Sequence, residues 1–263
     1  MNIPLVDLRR QYNTIKKAIE TRRQSRQAFW RVLIFIKDRI WRLSHRLRRL
    51  RFLFYSVRPV SDMWAIDRGT PVIRYYAEKF LGRYAADIYG TVLEIQDNNY
   101  TKKFGGTAVT NSEILDIDLT NVNAHIHANL LDPHHLPGER YDCIILTFVL
   151  NCINDLGTAI QSVHQMLKPG GVLLCVVPAL ECDAANTVVV GEDVDYWRFT
   201  TASATYVFSR YFTPGTVAVE SYGNVFAASY SLYGLSVEEV NQSKLDYYDA
   251  RFPVMIGIRA QKN

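Results

Sequence analysis

The residues best placed to do chemistry lie in Val92–Gly106, VLEIQDNNYTKKFGG, a short apolar run that passes into an acidic, polar and finally glycine-containing loop. Glu94 stands at the carboxyl end of this run. In an open α/β sheet that edge is where ligands bind, so Glu94 is the first candidate ligand contact, with Gln96 and Asp97 beside it. A second acidic stretch, NSEILDID, supplies Glu113 as a carboxylate expected at the end of the next strand. Asp116 and Asp118 rank below it, as the surface or turn acids such positions more often hold. His125 and His127 share a strand face and His134 precedes His135, a pattern that invites a metal. Zinc needs about four converging ligands, and no cysteine or acid spacing completes a set, so no metal site is expected.

Composition narrows the class. The chain has 263 residues, 48% hydrophobic and 21% charged, enough for one sizeable core plus an appended segment. Its net charge of +4 conceals an asymmetry: residues 1–60 carry 16 Lys/Arg against three Asp/Glu, whereas the rest carries 14 against 23. The division expected is therefore a basic helical arm over 1–60 and a separate domain over 61–263. The acidic body is a poor surface for phosphate backbones, so no nucleic-acid partner is expected. Cys143, Cys152, Cys175 and Cys182 show no CxxC spacing, which predicts a reduced, cytoplasmic protein. The apolar run Val32–Ile36 is far shorter than the ~20 residues a bilayer span requires.

The elements that must position these groups follow from periodicity. From Phe29 to Phe54 apolar residues recur at spacings of four and three, with arginines on the other faces and Trp30 and Trp41 among them. Residues 22–57 are thus expected to pack on the body or on a second copy, or to lie on an anionic membrane surface. That last use would make the protein peripheral at the inner face of a membrane. Arg58-Pro59 ends that helix. Pro71 opens another helix through Leu81. Strands are predicted at Val92–Ile95, Ala108–Thr110, Ala124–Ala128, Tyr141–Leu150, Val172–Val177, Thr216–Tyr222 and Phe252–Ala260, and helices at Asp155–Leu167 and Thr201–Phe212, with LKPGG as a turn. The alternation argues for an α/β fold with a mostly parallel sheet, and the last two strands, lacking a crossover helix, for an antiparallel edge.

The motifs LKPGGVLLCVVPAL after YDCIILTFVLNCI resemble class I S-adenosylmethionine-dependent methyltransferases, and so imply their Rossmann-like sheet. RGTPVIRYY, VLEIQDNNYTKKFGG, DYWRFT and YGNVFAA, in that order, look like a bacterial subgroup found with polysaccharide and glycosyltransferase functions. The resemblance covers roughly Asp62 to Lys262. Residues 2–20 also resemble the opening of pyridoxal-phosphate sugar aminotransferases, but nothing later continues that likeness, and a plain amphipathic helix accounts for them. The methyltransferase resemblance implies S-adenosyl-L-methionine as cofactor. It places the loop Glu94–Asn98, with Gln96 and Asp97, near the methionine moiety, Glu113 on the ribose, and Asn129 and Leu130 at the adenine. Thr147 and Phe148 would face the reacting methyl, and Arg68 and Tyr76 would pair with the cofactor's carboxylate. Asp195 or Tyr196 of DYWRFT would lie near an acceptor hydroxyl, although Trp197 and Phe199 serve equally well as packing. No residue identifies itself as a base. The implied activity is O-methylation of a sugar in glycan or polysaccharide biosynthesis. Gln96 stands where such proteins carry glycine, and Asn129 where they carry aspartate. The alternative is accordingly a non-catalytic scaffold on the same fold.

Overall fold

The computed structural model describes residues 57–182 and 194–263, of which 61–263 form one unit. The basic stretch 22–57 therefore lies, but for its last residue, outside the described residues, as does the helix expected over 2–20. Seven strands make one sheet in the order β3-β2-β1-β4-β5-β7-β6. They are β1 (Gly90–Ile95), β2 (Val109–Asp116), β3 (Ile126–His127), β4 (Tyr141–Thr147), β5 (Leu167–Pro178), β6 (Val217–Tyr222) and β7 (Met255–Gln261). β1 pairs in parallel with β2 and β4, β2 with β3, and β4 with β5. β7 runs antiparallel to both β5 and β6, so the expected antiparallel pairing occurs at that end of the sheet.

Helices cover both faces, which explains why β4 and β5 read as continuous apolar runs. On one face α1 (Val72–Arg83) buries Val72, Ile73, Tyr76, Ala77, Phe80 and Leu81, the side of the helix repeating at near-fourfold spacing. α1 lies close to the sheet because Gly257 has no side chain: a Cβ there would sit 2.4 Å from the Phe80 ring. The opposite face carries α2 (Leu156–Met166), started by the Asp155 side chain accepting from Thr158 N–H, and α3 (Thr201–Phe208), started by the reciprocal Thr200–Ser203 capping box.

Three segments differ from expectation. LKPGG is not a turn but the first part of β5, with a register shift against β4 and with Gly170 at φ +80 and Gly171 tight against the Tyr141 carbonyl. β2 does not stop at Thr110 but runs to Asp116, because Ile114 and Leu115 continue a buried strand. The stretch between β6 and β7 folds into α4 (Val225–Leu232) and the short α5 (Gln242–Leu245). Asn224 joins them, its side chain accepting from Ala227 N–H and donating to the carbonyls of Lys244 and Tyr247.

Candidate functional site

The carboxyl ends of β1, β2 and β4 come together where the strand order reverses, the crevice that open α/β sheets use for ligands. Two residues flank it in a conformation that side chains resist. Gln96, just past β1, has φ +67, and Phe148, just past β4, has φ +56. Neither is glycine, and left-handed backbone costs such residues roughly 1–2 kcal/mol each. Non-glycine strain of this kind concentrates at functional sites, where the surroundings enforce it. The enforcement here is visible: Gln96 N–H donates to the Leu115 carbonyl at 3.0 Å, its carbonyl accepts from Asn121 Nδ2 at 2.8 Å, and Phe148 N–H donates to the Val176 carbonyl at 2.8 Å. The Gln96 side chain itself is exposed. The loop thus keeps the backbone path of a glycine with a glutamine in place.

Glu94 is 2% exposed, and its carboxylate is spent on the loop. It accepts from Tyr100 N–H at 3.1 Å and from both the backbone N–H and the hydroxyl of Thr101, at 2.8 and 2.7 Å. Burial pushes its pKa up, against those hydrogen bonds from Thr101 and Tyr100. Its work is to fold the loop back over the strand. Asp97 caps the same turn by accepting from Asn99 N–H at 2.9 Å.

Glu113 is not at the end of its strand. It lies beside Leu93 in the register, three residues short of the crevice, and is paired with Arg140, with Tyr141 Oη at 2.8 Å and with Asn111 Nδ2 at 2.9 Å. Burial by itself would raise its pKa, but the hydrogen bonds from Tyr141, Arg140 and Asn111 outweigh burial and hold it below the usual range. The acid at the crevice is Asp116, 6% exposed, which accepts from Asp118 N–H at 3.0 Å and from Asn121 Nδ2 at 2.7 Å. Its spacing was legible in the sequence: Asp116 lies 20 residues beyond Gln96, about the separation at which open α/β sheets place an acid at this edge.

The other expected contacts divide. Thr147 and Asn129 end β4 and follow β3 at the same edge, the Asn129 Oδ1 accepting from Leu131 N–H at 2.9 Å. Leu130 is 4% exposed within the core, so its side chain serves packing. Tyr76 is directed elsewhere: its hydroxyl donates to the Leu245 carbonyl at 2.7 Å and its ring meets Tyr222 on β6, which leaves nothing for a ligand at β1. Arg68 is 3% exposed and forms a two-pronged pair with Glu239 through Nε, at 2.9 Å, and Nη2. Its Nη1 is buried with no partner among the described residues.

The DYWRFT motif is fastened to the turn after β4. Asp195 pairs with Arg198 at 2.6 Å and accepts from Asn151 Nδ2 at 3.1 Å, while the backbone N–H groups of Tyr196 and Trp197 donate to the Asn151 carbonyl. Asp195 thereby ties the DYWRFT loop to the turn after β4. Tyr196 and Trp197 remain 49% and 40% exposed on this side of the crevice. Asn151 Oδ1 is a buried acceptor with no partner among the described residues. Glu181, just past β5, accepts from the Ser231 hydroxyl at 2.9 Å and from Cys182 N–H at 3.3 Å, and burial pushes its carboxyl up. Asn151 falls within YDCIILTFVLNCI without being singled out by it, and Glu181 and Ser231 carry no motif; tertiary proximity brings Glu181 and Ser231 together.

Two of the four histidines that invited a metal have other partners. His125 Nδ1 accepts from Ile114 N–H at 3.2 Å, and His135 pairs with Asp132 at 2.6 Å. Among the described residues no group of three or more His, Cys, Asp or Glu is placed to hold a metal.

A seven-stranded sheet in this order, with its crevice at β1 and β4 and an acid closing β2, defines a Rossmann-like methyltransferase fold. The chain belongs to the methyltransferase-domain family, whose profile matches residues 69–215. Its cofactor is S-adenosyl-L-methionine. Among curated relatives, the chain is 33% identical over 85 residues to the ubiquinone/menaquinone biosynthesis C-methyltransferase UbiE of Pectobacterium atrosepticum, covering 32% of each chain. It is 25% identical over 116 residues to the Dictyostelium discoideum protein named "Probable polyketide synthase 7", covering 44% of this chain and 4% of that one. The chain thus matches a third or less of the length of either relative. Among solved structures, a SAM-dependent methyltransferase from Archaeoglobus fulgidus aligns at 14% identity over 72% of this chain and 94% of that one, with a TM-score of 0.48.

The residues present fit this cofactor. A carboxylate, Asp116, ends β2 at the crevice, the loop after β1 follows the backbone path of a glycine, and Arg68 Nη1 is a buried donor with no acceptor among the described residues.

Proposed function

We propose that this protein transfers a methyl group from S-adenosylmethionine to a hydroxyl of a saccharide, in glycan or polysaccharide biosynthesis. The observation that carries the transfer is the crevice at β1 and β4, with Gln96 and Phe148 held at positive φ on its two sides and Asp116 at its rim. When bound, the cofactor supplies an electrophilic methyl on a sulfonium. Asp116 would hold the ribose hydroxyls, Asn129 would face the adenine, and Arg68 Nη1 would take the methionine carboxylate as a charge-assisted hydrogen bond. Thr147 and Phe148 would shape the space at the methyl. Tyr196 and Trp197 would offer the acceptor flat faces, and Asn151 Oδ1 a buried acceptor for its hydroxyl.

The names of the curated relatives support a second acceptor class, a quinone or polyketide. Transfer of a labelled methyl group to matched saccharide, quinone and polyketide acceptors separates them; label in the quinone or polyketide fraction alone overturns the saccharide reading. Calorimetric titration with S-adenosylhomocysteine tests the cofactor. Micromolar binding is expected, and the lack of any heat or thermal shift at millimolar ligand would leave the protein a non-catalytic scaffold with Gln96 closing its pocket. The basic stretch 22–57 would hold the enzyme at the inner face of a membrane or against a second copy.

A further inference from the structure

A groove with no part in the cofactor crevice lies along the sheet's outer strand, β6. Its volume is about 520 Å³, and Tyr76, Tyr222, Tyr247 and Tyr248 contribute to its walls. The strand order puts β6 three places from β4, roughly 14 Å at the usual strand spacing. Volumes of a few hundred cubic ångströms suit a small ligand or one end of a larger one.

The chemistry of the walls selects the ligand. Both cations in the lining are already neutralised: Lys79 pairs with Asp246, and Arg83 pairs with Glu220 at 3.1 Å. An anion gains little there. The phenols are unusually open, with Tyr247 68% and Tyr248 59% exposed, and such rings offer an apolar face beside a polar tip. The Tyr248 hydroxyl shares a hydrogen bond of 2.9 Å with Ser221 Oγ on the edge strand, which leaves this pair donor and acceptor capacity for a ligand. Asp246 takes the hydrogen bonds of Tyr75 and Lys79 on Oδ1, and no described residue donates to its Oδ2. The groove therefore asks for an uncharged molecule with several hydroxyl donors and a C–H face to lay on a phenol. A quinone, which only accepts hydrogen bonds, would leave Asp246 Oδ2 unmatched.

We propose that this groove binds a neutral saccharide, holding a sugar unit of an extended acceptor remote from the unit that reacts. As a part of the acceptor site it rests on the saccharide reading above; as a binding site it stands without the cofactor. Remote contacts of this kind supply binding energy that positions the reacting end.

Isothermal titration of the full-length protein with maltotriose, cellotriose and N-acetylchitotriose, each into the tens of millimolar, tests it. At least one is expected to give saturable heat. Tyr248→Ala and Asp246→Ala should each weaken that binding roughly tenfold or more. Both side chains lie at the surface, and an unchanged melting temperature and S-adenosylhomocysteine affinity would show that the variants fold. No saturable heat with any of the three, or binding that survives both substitutions, overturns the proposal. So does menadione binding that Tyr248→Ala abolishes while the saccharides give none. Homocysteine-nucleoside binding without saccharide binding overturns the groove alone. Saccharide binding without it keeps the groove and removes the cofactor reading.

Discussion

Gln96 concentrates the physics of the site into one residue. Its φ of +67 is a conformation that glycine adopts freely, and its side chain is exposed. Gln96→Gly should raise stability by about 0.5–1 kcal/mol, since relief of left-handed strain exceeds the extra unfolded-state freedom of glycine. Urea denaturation measures this, and S-adenosylhomocysteine titration of the same variant shows whether the side chain also obstructs the pocket. Asp116→Asn keeps the shape and removes the charge, and a lost charge-assisted hydrogen bond of ~1.5–3 kcal/mol should weaken cofactor binding roughly 10- to 100-fold. Glu113 serves as the comparison, because it lies away from the crevice and its carboxyl is held low by Tyr141, Arg140 and Asn111. Its folded pKa is below its unfolded one, so its contribution is present above the unfolded value and is lost as pH falls below about 4. Glu113→Gln should flatten the acid limb of a stability–pH profile and leave cofactor affinity near the parent's.

At the scale of elements, RGTP is a clasp. Residues 68–71 are fastened to 236–239: Arg68 to Glu239, Thr70 N–H and hydroxyl to Glu238 at 2.9 and 2.7 Å, and Pro71 bridged to Ser236. Gly69 sits at φ +150 so close to Glu238 that a Cβ would lie 2.2 Å from the carboxylate. The clasp ties the start of α1 to the insertion between β6 and β7, and it fixes the guanidinium that presents Nη1. Glu239→Ala strands a buried cation, so a loss of about 3–5 kcal/mol is expected by thermal or urea unfolding. Replacing Arg68 and Glu239 together by apolar residues should cost much less, and a double-mutant cycle would read the difference.

For the whole molecule, the separation of charge is the feature with a consequence. Among the described residues no helix is long and apolar enough to cross a membrane. The proposed attachment of the arginine-rich stretch to an anionic surface would be weakened by charge screening. The full chain should float with vesicles containing anionic lipid at low salt, and deletion of residues 21–57 should abolish this; equal flotation of both would assign the stretch to self-association or packing.

The sequence by itself determined the class of sheet, because runs such as YDCIILT and VLLCVV can be satisfied only by strands buried on both faces. It also located the loop after β1 and the odd residue in it, since glycine's absence from a tight turn is a local fact. Tertiary structure decided the rest. Which acid reaches the crevice depended on where β2 ended, and two apolar residues, Ile114 and Leu115, carried the strand past Glu113 to Asp116. That Tyr76 is taken from a ligand, and that Arg68 keeps only Nη1 open, depended on Leu245 and Glu239, some 170 residues away in the chain. Periodicity reports which side of an element is buried. It carries no information on which distant group will meet a side chain's donor, and that meeting determines whether a polar residue serves the fold or a ligand.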